Sequence, residues 1–397
     1  MAPRAQPQAH GAFPAPSTST SSTGAGSSSG LHPQRRATRA ACVGLHNLGN
    51  TCYVNAMLQA LASVPEFVEA VRGAVWTTTG EGRATVGPLL ADALDQLLCV
   101  GGQGSGQDSG RRPQQPCFRP QALLDAVRAA DDHWADRTQQ DGQEFLAWFL
   151  QRLLGEMVPG CSAARALQAL LGGQLLGTTT CGAQGCGRCS HKQDPLFGSL
   201  QVELPEPAAA GWTQASGGGR GRGRGGSGSG SGRGNGSSGG AVSVQDCMAA
   251  FVEPSQLRGA DRIYCERCGQ RRDASRRLLV DECPPLLILA LKRFAWMQDA
   301  WGGYSARKVC VPVSMSAARR LELARYCAPA AARATPVYEL VAVVDHAGDL
   351  GSGHYTARCR LPSGDWRLFD DTRTAHTPAP AGADCAAYVL LYRLQQQ

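Results

Sequence analysis

The sequence predicts an α+β fold with an antiparallel sheet, on two observations. Apolar residues recur at helical spacing as far as about residue 157, and from about residue 175 they alternate or run in short β-type blocks. Helices first and strands after is the order of an α+β chain rather than of repeated βαβ units. The length of 397 residues allows two or three average domains, or one large domain carrying insertions.

Residues 1–43 are rich in Ala, Ser, Thr and Pro and carry Arg4, Arg35, Arg36 and Arg39 with no acid. That composition reads as a disordered tail, with an organelle transit peptide as the alternative. Val54, Met57, Leu58, Leu61 and Val64 then follow Cys52 at helical spacing, and Pro65 closes the pattern, so Cys52 opens a buried helix. The Gly-Gln-Ser stretch at 101–116 is a loop. A second helical block runs from about Gln121 to Met157, broken near 131–138, with Phe145, Phe149, Leu150, Leu153 and Leu154 facing inward. Leu200–Leu204 alternates as a half-buried strand, and Leu286–Leu291 is an apolar run of buried-strand length. Further strands are expected at Tyr338–Val344, Tyr355–Leu361, Trp366–Phe369 and Tyr388–Leu394. Between them, 207–243 is Gly/Ser/Arg-rich and reads as a flexible insertion.

The formal charge of +7 sits in the low-complexity segments, because removing the four arginines of the tail and Arg220, Arg222, Arg224 and Arg233 brings it to about −1. The ordered part is near neutral, so net charge says little about partners, and a nucleic-acid partner is not expected. The Arg-Gly run at 219–224 is short, lacks aromatic residues and reads as a solvated linker. No apolar run reaches the roughly 18 residues of a membrane span, so a soluble protein without membrane contact is expected. Sixteen scattered cysteines without a secretory apolar segment point to a reducing compartment, cytoplasmic or nuclear. Nothing in the sequence specifies an oligomer.

Cys52 lies where the Gly-containing turn Gly44–Thr51 meets a helix start, where the helix dipole and free N–H groups favour a thiolate nucleophile. Asn47, five residues upstream, is placed to direct its amide at the oxyanion formed by attack on a carbonyl. His354 begins one strand and Asp370 ends the next, across a turn at Leu361–Asp365. Antiparallel pairing about that turn brings the two together, so the carboxylate binds one ring nitrogen and frees the other as a base. Asp371 is adjacent to Asp370, and in an extended strand only one of the two can face His354. Cys265-x2-Cys268 has the spacing of half a structural zinc site, and its partners are either Cys186 with Cys189, by spacing, or Cys181 with Cys186.

The run Gly44–Asn55, followed by Leu58-Gln59-Ala60-Leu61, resembles the cysteine box of the ubiquitin-specific proteases, a family of cysteine deubiquitinases. Gln139–Phe145, Tyr264–Cys268, Leu291–Phe294, Gly353-His354-Tyr355, Phe369-Asp370-Asp371 and Tyr388–Tyr392 resemble that family's further motifs, in its order. The resemblance implies a papain-like fold over 44–394, with a helical thumb, a β-sheet palm and zinc-ribbon-like fingers. It implies thiol-dependent hydrolysis of the isopeptide or peptide bond after the C-terminal glycine of ubiquitin, through a thioester at Cys52. Ubiquitin and ubiquitinated proteins are the implied partners. Asp141, Glu144 and Tyr355 are carried over as substrate-binding residues, and Asp370 as the residue that orients His354. Two cysteine pairs close a zinc site in the family, and alignment of Ser190 favours Cys181 with Cys186. The chemistry needs no cofactor, and any zinc is structural. Gly142 stands where the family usually has a larger residue, often Ala. The segment Asp345–Ser352 matches a loop bordering the substrate channel, and its glycines suggest a gate.

Overall fold

Ten of the eleven residues of helix α1 (Cys52–Ala62) are buried, as expected of a helix that is apolar on nearly every side. Burial of Val54, Met57, Leu58 and Leu61 contributes about 1.5–3 kcal/mol each relative to exposure. Pro65 ends this pattern and also begins α2 (Pro65–Arg72), because a missing N–H costs nothing at the first helical position. Three more helices complete the thumb: α3 (Val86–Leu98), α4 (Gln121–Ala130) and α5 (Gly142–Glu156). A helix α6 (Ser162–Leu171) leads from α5 into the first long strand. In the computed structural model the described residues are 43–77, 85–98, 116–205, 240–298, 303–349 and 351–395. The tail expected over 1–43, the loop at 101–116 and the insertion at 207–243 fall, but for a few edge residues, outside the described residues.

The palm is an eight-stranded sheet. Its spatial order is Arg373–Thr377, Trp366–Asp370, His354–Arg360, Val337–Ala347, Ala387–Leu394, Leu286–Leu291 and Ser199–Val202, with Arg320–Glu322 added beside Val337–Ala347. All pairs are antiparallel except Leu286–Leu291 with Ser199–Val202, which is parallel and departs from the expected pattern. Leu286, Ile288 and Ala290 face the thumb core, while Leu287, Leu289 and Leu291 face a second core that includes α7 (Val244–Val252). Coverage of both faces explains why this strand is apolar without alternation.

The fingers are a separate four-stranded sheet in the order Cys189–Phe197, Gly172–Cys181, Ala274–Glu282 and Ser255–Leu257. A short hairpin, Ile263–Cys265 with Gln270–Arg272, belongs to the same segment of chain. Helix α1 packs on the strand His354–Arg360, which brings the thiol-bearing helix to the histidine-bearing strand.

Candidate active site

Local hydrogen bonds fold the turn that delivers Cys52. Asn47 Oδ1 accepts from the N–H groups of Gly49 and Thr51, both at 3.1 Å, and Thr51 Oγ1 accepts from Leu48 N–H at 2.9 Å. Cys52 is then the first residue of α1, and its side chain is buried. Burial, the largest influence, raises the thiol above its ordinary pKa; N–H groups of Tyr355, Tyr53 and Cys52 pull it down and Asp371 pushes it up. The helix start favours the anion, as expected, while desolvation opposes it. A thiol raised in this way calls for a nearby base.

A candidate base lies in the next strand pair. His354 Nε2 lies 2.7 Å from Asp370 Oδ1, both side chains being partly exposed. In the ladder Ala357 faces Phe369 and Arg360 faces Trp366, so strict opposition to Asp370 falls at Thr356. His354 is two residues further along, which keeps it on the same face as a diagonal neighbour. With Nε2 on the carboxylate, Nδ1 is the nitrogen left for the thiol proton. The Tyr355 N–H bonded to Cys52 Sγ belongs to the residue after His354, so one short stretch of strand supports both groups.

Asp371 turns away from the strand at a positive φ of 50° and takes other partners. Its Oδ2 accepts from Asn47 Nδ2 at 3.0 Å and its Oδ1 from Asn55 Nδ2 at 2.8 Å. Ligating atoms of His354, Asp370 and Asp371 nevertheless lie within 4.8 Å of one another. Asn47 thus spends one amide proton on Asp371 and has a second to offer. Asn55 was missed by the sequence reading; its signal was a polar residue within the buried face of α1. The turn is closed by backbone as well, because Leu45 N–H donates to Asp371 O at 2.8 Å. A Cβ at Gly44 would meet Thr372 O at 2.4 Å, so this approach needs glycine.

The residues expected to meet substrate are placed differently from one another. Asp141 caps α5, accepting from Gln143 and Glu144 N–H, and its carboxylate also accepts from Tyr388 Oη at 2.7 and 2.8 Å. Glu144 is exposed, 3.8 Å from His133. Tyr355 is only 3% exposed, and its hydroxyl accepts from Gly142 N–H, so its side chain is an internal joint and no free surface group. The same contact accounts for Gly142, where a Cβ would lie 3.0 Å from the Tyr355 ring and 2.9 Å from Met57 Cε. The gate suggested at 345–352 includes Leu350, which is outside the described residues.

At the fingers, Cys181, Cys186, Cys265 and Cys268 gather with their sulfurs within 4.8 Å of one another. Cys181 Sγ is 3.9 Å from Cys268 Sγ, and Cys186 Sγ is 3.7 Å from Cys265 Sγ. A tetrahedral Zn²⁺ with Zn–S bonds of about 2.3 Å sets its sulfurs about 3.8 Å apart, so donor set and spacing fit that ion. Cys189, favoured by spacing, is corrected out of the set. It pairs across the ladder with Thr180, and strand alternation puts Thr180 and Cys181 on opposite faces. Its sulfur is near Thr180 Oγ1 and Gly187 O instead.

A helical thumb whose first helix carries a thiol, set against a palm sheet carrying an imidazole–carboxylate pair, defines an α+β fold of the papain-like type. A solved structure of the SAGA Ubp8/Sgf11/Sus1/Sgf73 DUB module bound to ubiquitin aldehyde shares this fold with a TM-score of 0.64 at 20% identity, covering 91% of this chain and 71% of that one. The model of the ubiquitin carboxyl-terminal hydrolase family matches residues 43–392, and the chain belongs to that family. Among curated relatives, ubiquitin carboxyl-terminal hydrolase 21 of Bos taurus is 28% identical over 89% of this chain and 62% of its own length. Ubiquitin carboxyl-terminal hydrolase 3 of Mus musculus is 26% identical over 89% of this chain and 68% of its own. A shorter stretch, 39% of this chain and 12% of the relative, is 35% identical to ubiquitin carboxyl-terminal hydrolase 19 of Rattus norvegicus. This chain therefore matches about two thirds of the length of the first two.

Proposed function

We propose that this chain is a thiol-dependent deubiquitinase that hydrolyses the isopeptide or peptide bond after the C-terminal glycine of ubiquitin. The observation that carries the reading is the 2.7 Å contact of His354 Nε2 with Asp370, beside a buried thiol at the start of α1. Family membership supplies the substrate class. His354 Nδ1 takes the proton from Cys52 Sγ, and the sulfur attacks the glycine carbonyl carbon. The oxyanion that forms is met by the second amide proton of Asn47, oriented by Asp371, and by backbone N–H at the helix start. The imidazolium returns its proton to the leaving amine, and the C–N bond breaks to leave a thioester. Water, deprotonated by the same nitrogen, then releases the ubiquitin carboxylate and restores the thiol. Asp141 and Glu144 border the approach of the ubiquitin tail.

The four finger thiols hold a structural zinc ion, which supplies cross-linking of two turns and no part of the hydrolysis. A reducing cytoplasmic or nuclear setting suits this assignment, since the described cysteines are all free thiols.

The test is hydrolysis of a ubiquitin C-terminal fluorogenic amide, beside the same amide of other ubiquitin-like modifiers. Turnover of ubiquitin amide by the wild-type chain, its loss in Cys52→Ala and retained ubiquitin binding by that variant are expected. Turnover by Cys52→Ala would remove the nucleophile assignment, and turnover of another modifier alone would replace the substrate.

A further inference from the structure

Lys308 ends the strand Tyr304–Lys308 and faces Phe294 across a two-stranded ladder. Its ammonium donates to the carbonyl oxygens of His346 at 2.5 Å and Gly348 at 2.9 Å, and lies 3.1 Å from His346 Nδ1. An ammonium has three donors and no acceptor, so the ring nitrogen facing it is the unprotonated one. His346 is buried, and burial first, then the charge of Lys308, push its imidazole down to about 4, which keeps it neutral. The proton is then on Nε2, which points at Gly353: a Cβ built there would lie 1.9 Å from that nitrogen. The rings of Phe294, Tyr355 and Tyr388 close in on His346 with centroids 5.4, 4.5 and 6.4 Å away.

The backbone beside this ring forms a neck. Gly348 has a φ of +94°, and a Cβ there would meet Ser352 O at 2.7 Å and Gly353 Cα at 2.9 Å. Lys308 holds one side of the neck, at His346 and Gly348. Gln139, just ahead of α5, holds the other by accepting from Gly353 N–H at 3.1 Å. His354 is the next residue, so its strand entry is set by Lys308, His346 and Gln139.

We propose that Lys308 is a positioning residue for the candidate base His354, acting through His346, whose locked ring fixes Gly353 and hence the backbone that aims His354 at Cys52. The inference rests on reading Cys52 and His354 as nucleophile and base. Its test reads that pair directly, without ubiquitin. The full chain is treated with iodoacetamide over a range of pH, and modification of the peptide carrying Cys52 is timed by mass spectrometry. Lys308→Met is expected to slow the reaction about tenfold near pH 7 and to displace its pH profile. Lys308→Arg, which can still donate to both carbonyls, recovers most of the rate. On ubiquitin amide, kcat falls by the same factor while KM stays within about twofold. Gly353→Ala, which displaces the His346 ring from the opposite side, should slow alkylation as well and serves if Lys308→Met does not fold. Wild-type alkylation in either variant overturns the proposal, as does an equal loss in Lys308→Arg and Lys308→Met. A wild-type chain that ignores ubiquitin amide would defeat the functional reading, while the alkylation arm still decides the role of Lys308.

Discussion

The seam between thumb and palm and the tip of the fingers both gather reactive side chains, but they hold them by opposite means. At the seam the groups come from 47–55, 354 and 370–371, hundreds of residues apart, and are oriented by hydrogen bonds on top of a thick core. At the tip the four thiols come from two short turns, and the buried Cys181, Cys265 and Ala274 belong to neither core cluster. The seam is preorganised by packing, whereas the tip lies outside both cores and is held by a hairpin, the Arg188–Glu266 ion pair and the bond from Arg267 to Cys186 O, with the proposed zinc as its cross-link. The lesson is that damage to the seam should cost chemistry with little stability, and damage to the tip the reverse.

The largest effect is expected at the carboxylates. Asp370→Ala should lower kcat by about 10²–10⁴-fold, on the scale of losing a triad's third member. Asp371→Ala removes the orienter of Asn47 and should cost about 10²–10³-fold, as loss of one oxyanion donor does. Asn47→Ala combined with Asp371→Ala should be no worse than either alone, because they act as one unit. The pH-rate profiles separate the roles: Asp370→Ala should move the limb set by the His354 base, whereas Asp371→Ala should only ease ionisation of the thiol that it now pushes up. The opposite pattern would exchange them.

At the tip, purified protein should carry about one zinc per chain, and Cys265→Ser should lose it. The melting temperature should fall by several degrees, at about 1–2 °C per kcal/mol for a domain of this size, while Cys52 alkylation keeps its rate. Metal-free wild-type protein of unchanged stability would dissolve the contrast drawn above.

A smaller effect concerns pH. His346 has its imidazole depressed to about 4 against an ordinary 6.5, with Lys308, Asp349 and His354 as the charged or titratable groups acting on it. The folded state therefore binds fewer protons than the unfolded one between those values. Its contribution to stability is complete above about pH 6.5 and is lost as pH falls toward about 4. Urea midpoints measured across that window should drop more steeply for wild type than for His346→Phe, and parallel slopes would contradict the assignment. The smallest effect is a null: Cys189→Ser should leave zinc content unchanged and stability within about 0.5 kcal/mol. Loss of zinc there would restore the pairing that spacing alone favoured.

Much of the fold was legible because periodicity is local. The start of α1, the break between α4 and α5, and the strands Leu286–Leu291, Val337–Ala347, His354–Arg360, Trp366–Asp370 and Ala387–Leu394 lie close to where apolar spacing placed them. Helix α3 and helix α6 were not foreseen, although both bury leucines at helical spacing. The pairing of His354 with Asp370 could be approached from hairpin symmetry. That Asn47 donates to Asp371 could not, since 324 residues separate them. The choice between Cys181 and Cys189 likewise depended on which face of a ladder each occupies, and spacing carries no information about faces. Lys308 escaped notice, and His346 was seen only as part of the glycine-rich segment 345–352, because an isolated lysine and histidine have no shared signature until the sheet brings them together.

The strand Ala387–Leu394 lies between Val337–Ala347 and Leu286–Leu291 in the interior of the palm, and Leu45 is bonded to Asp371. During synthesis the thiol of Cys52 leaves the ribosome well before His354, Asp370, Asp371 and the strand that completes the sheet. At about 5–20 residues per second, the nascent chain spends many seconds as an inert polypeptide with its nucleophile in place and nothing to ionise it. A product released before Ala387 would lack an inner strand of the palm and, on the proposed function, would not hydrolyse ubiquitin amide.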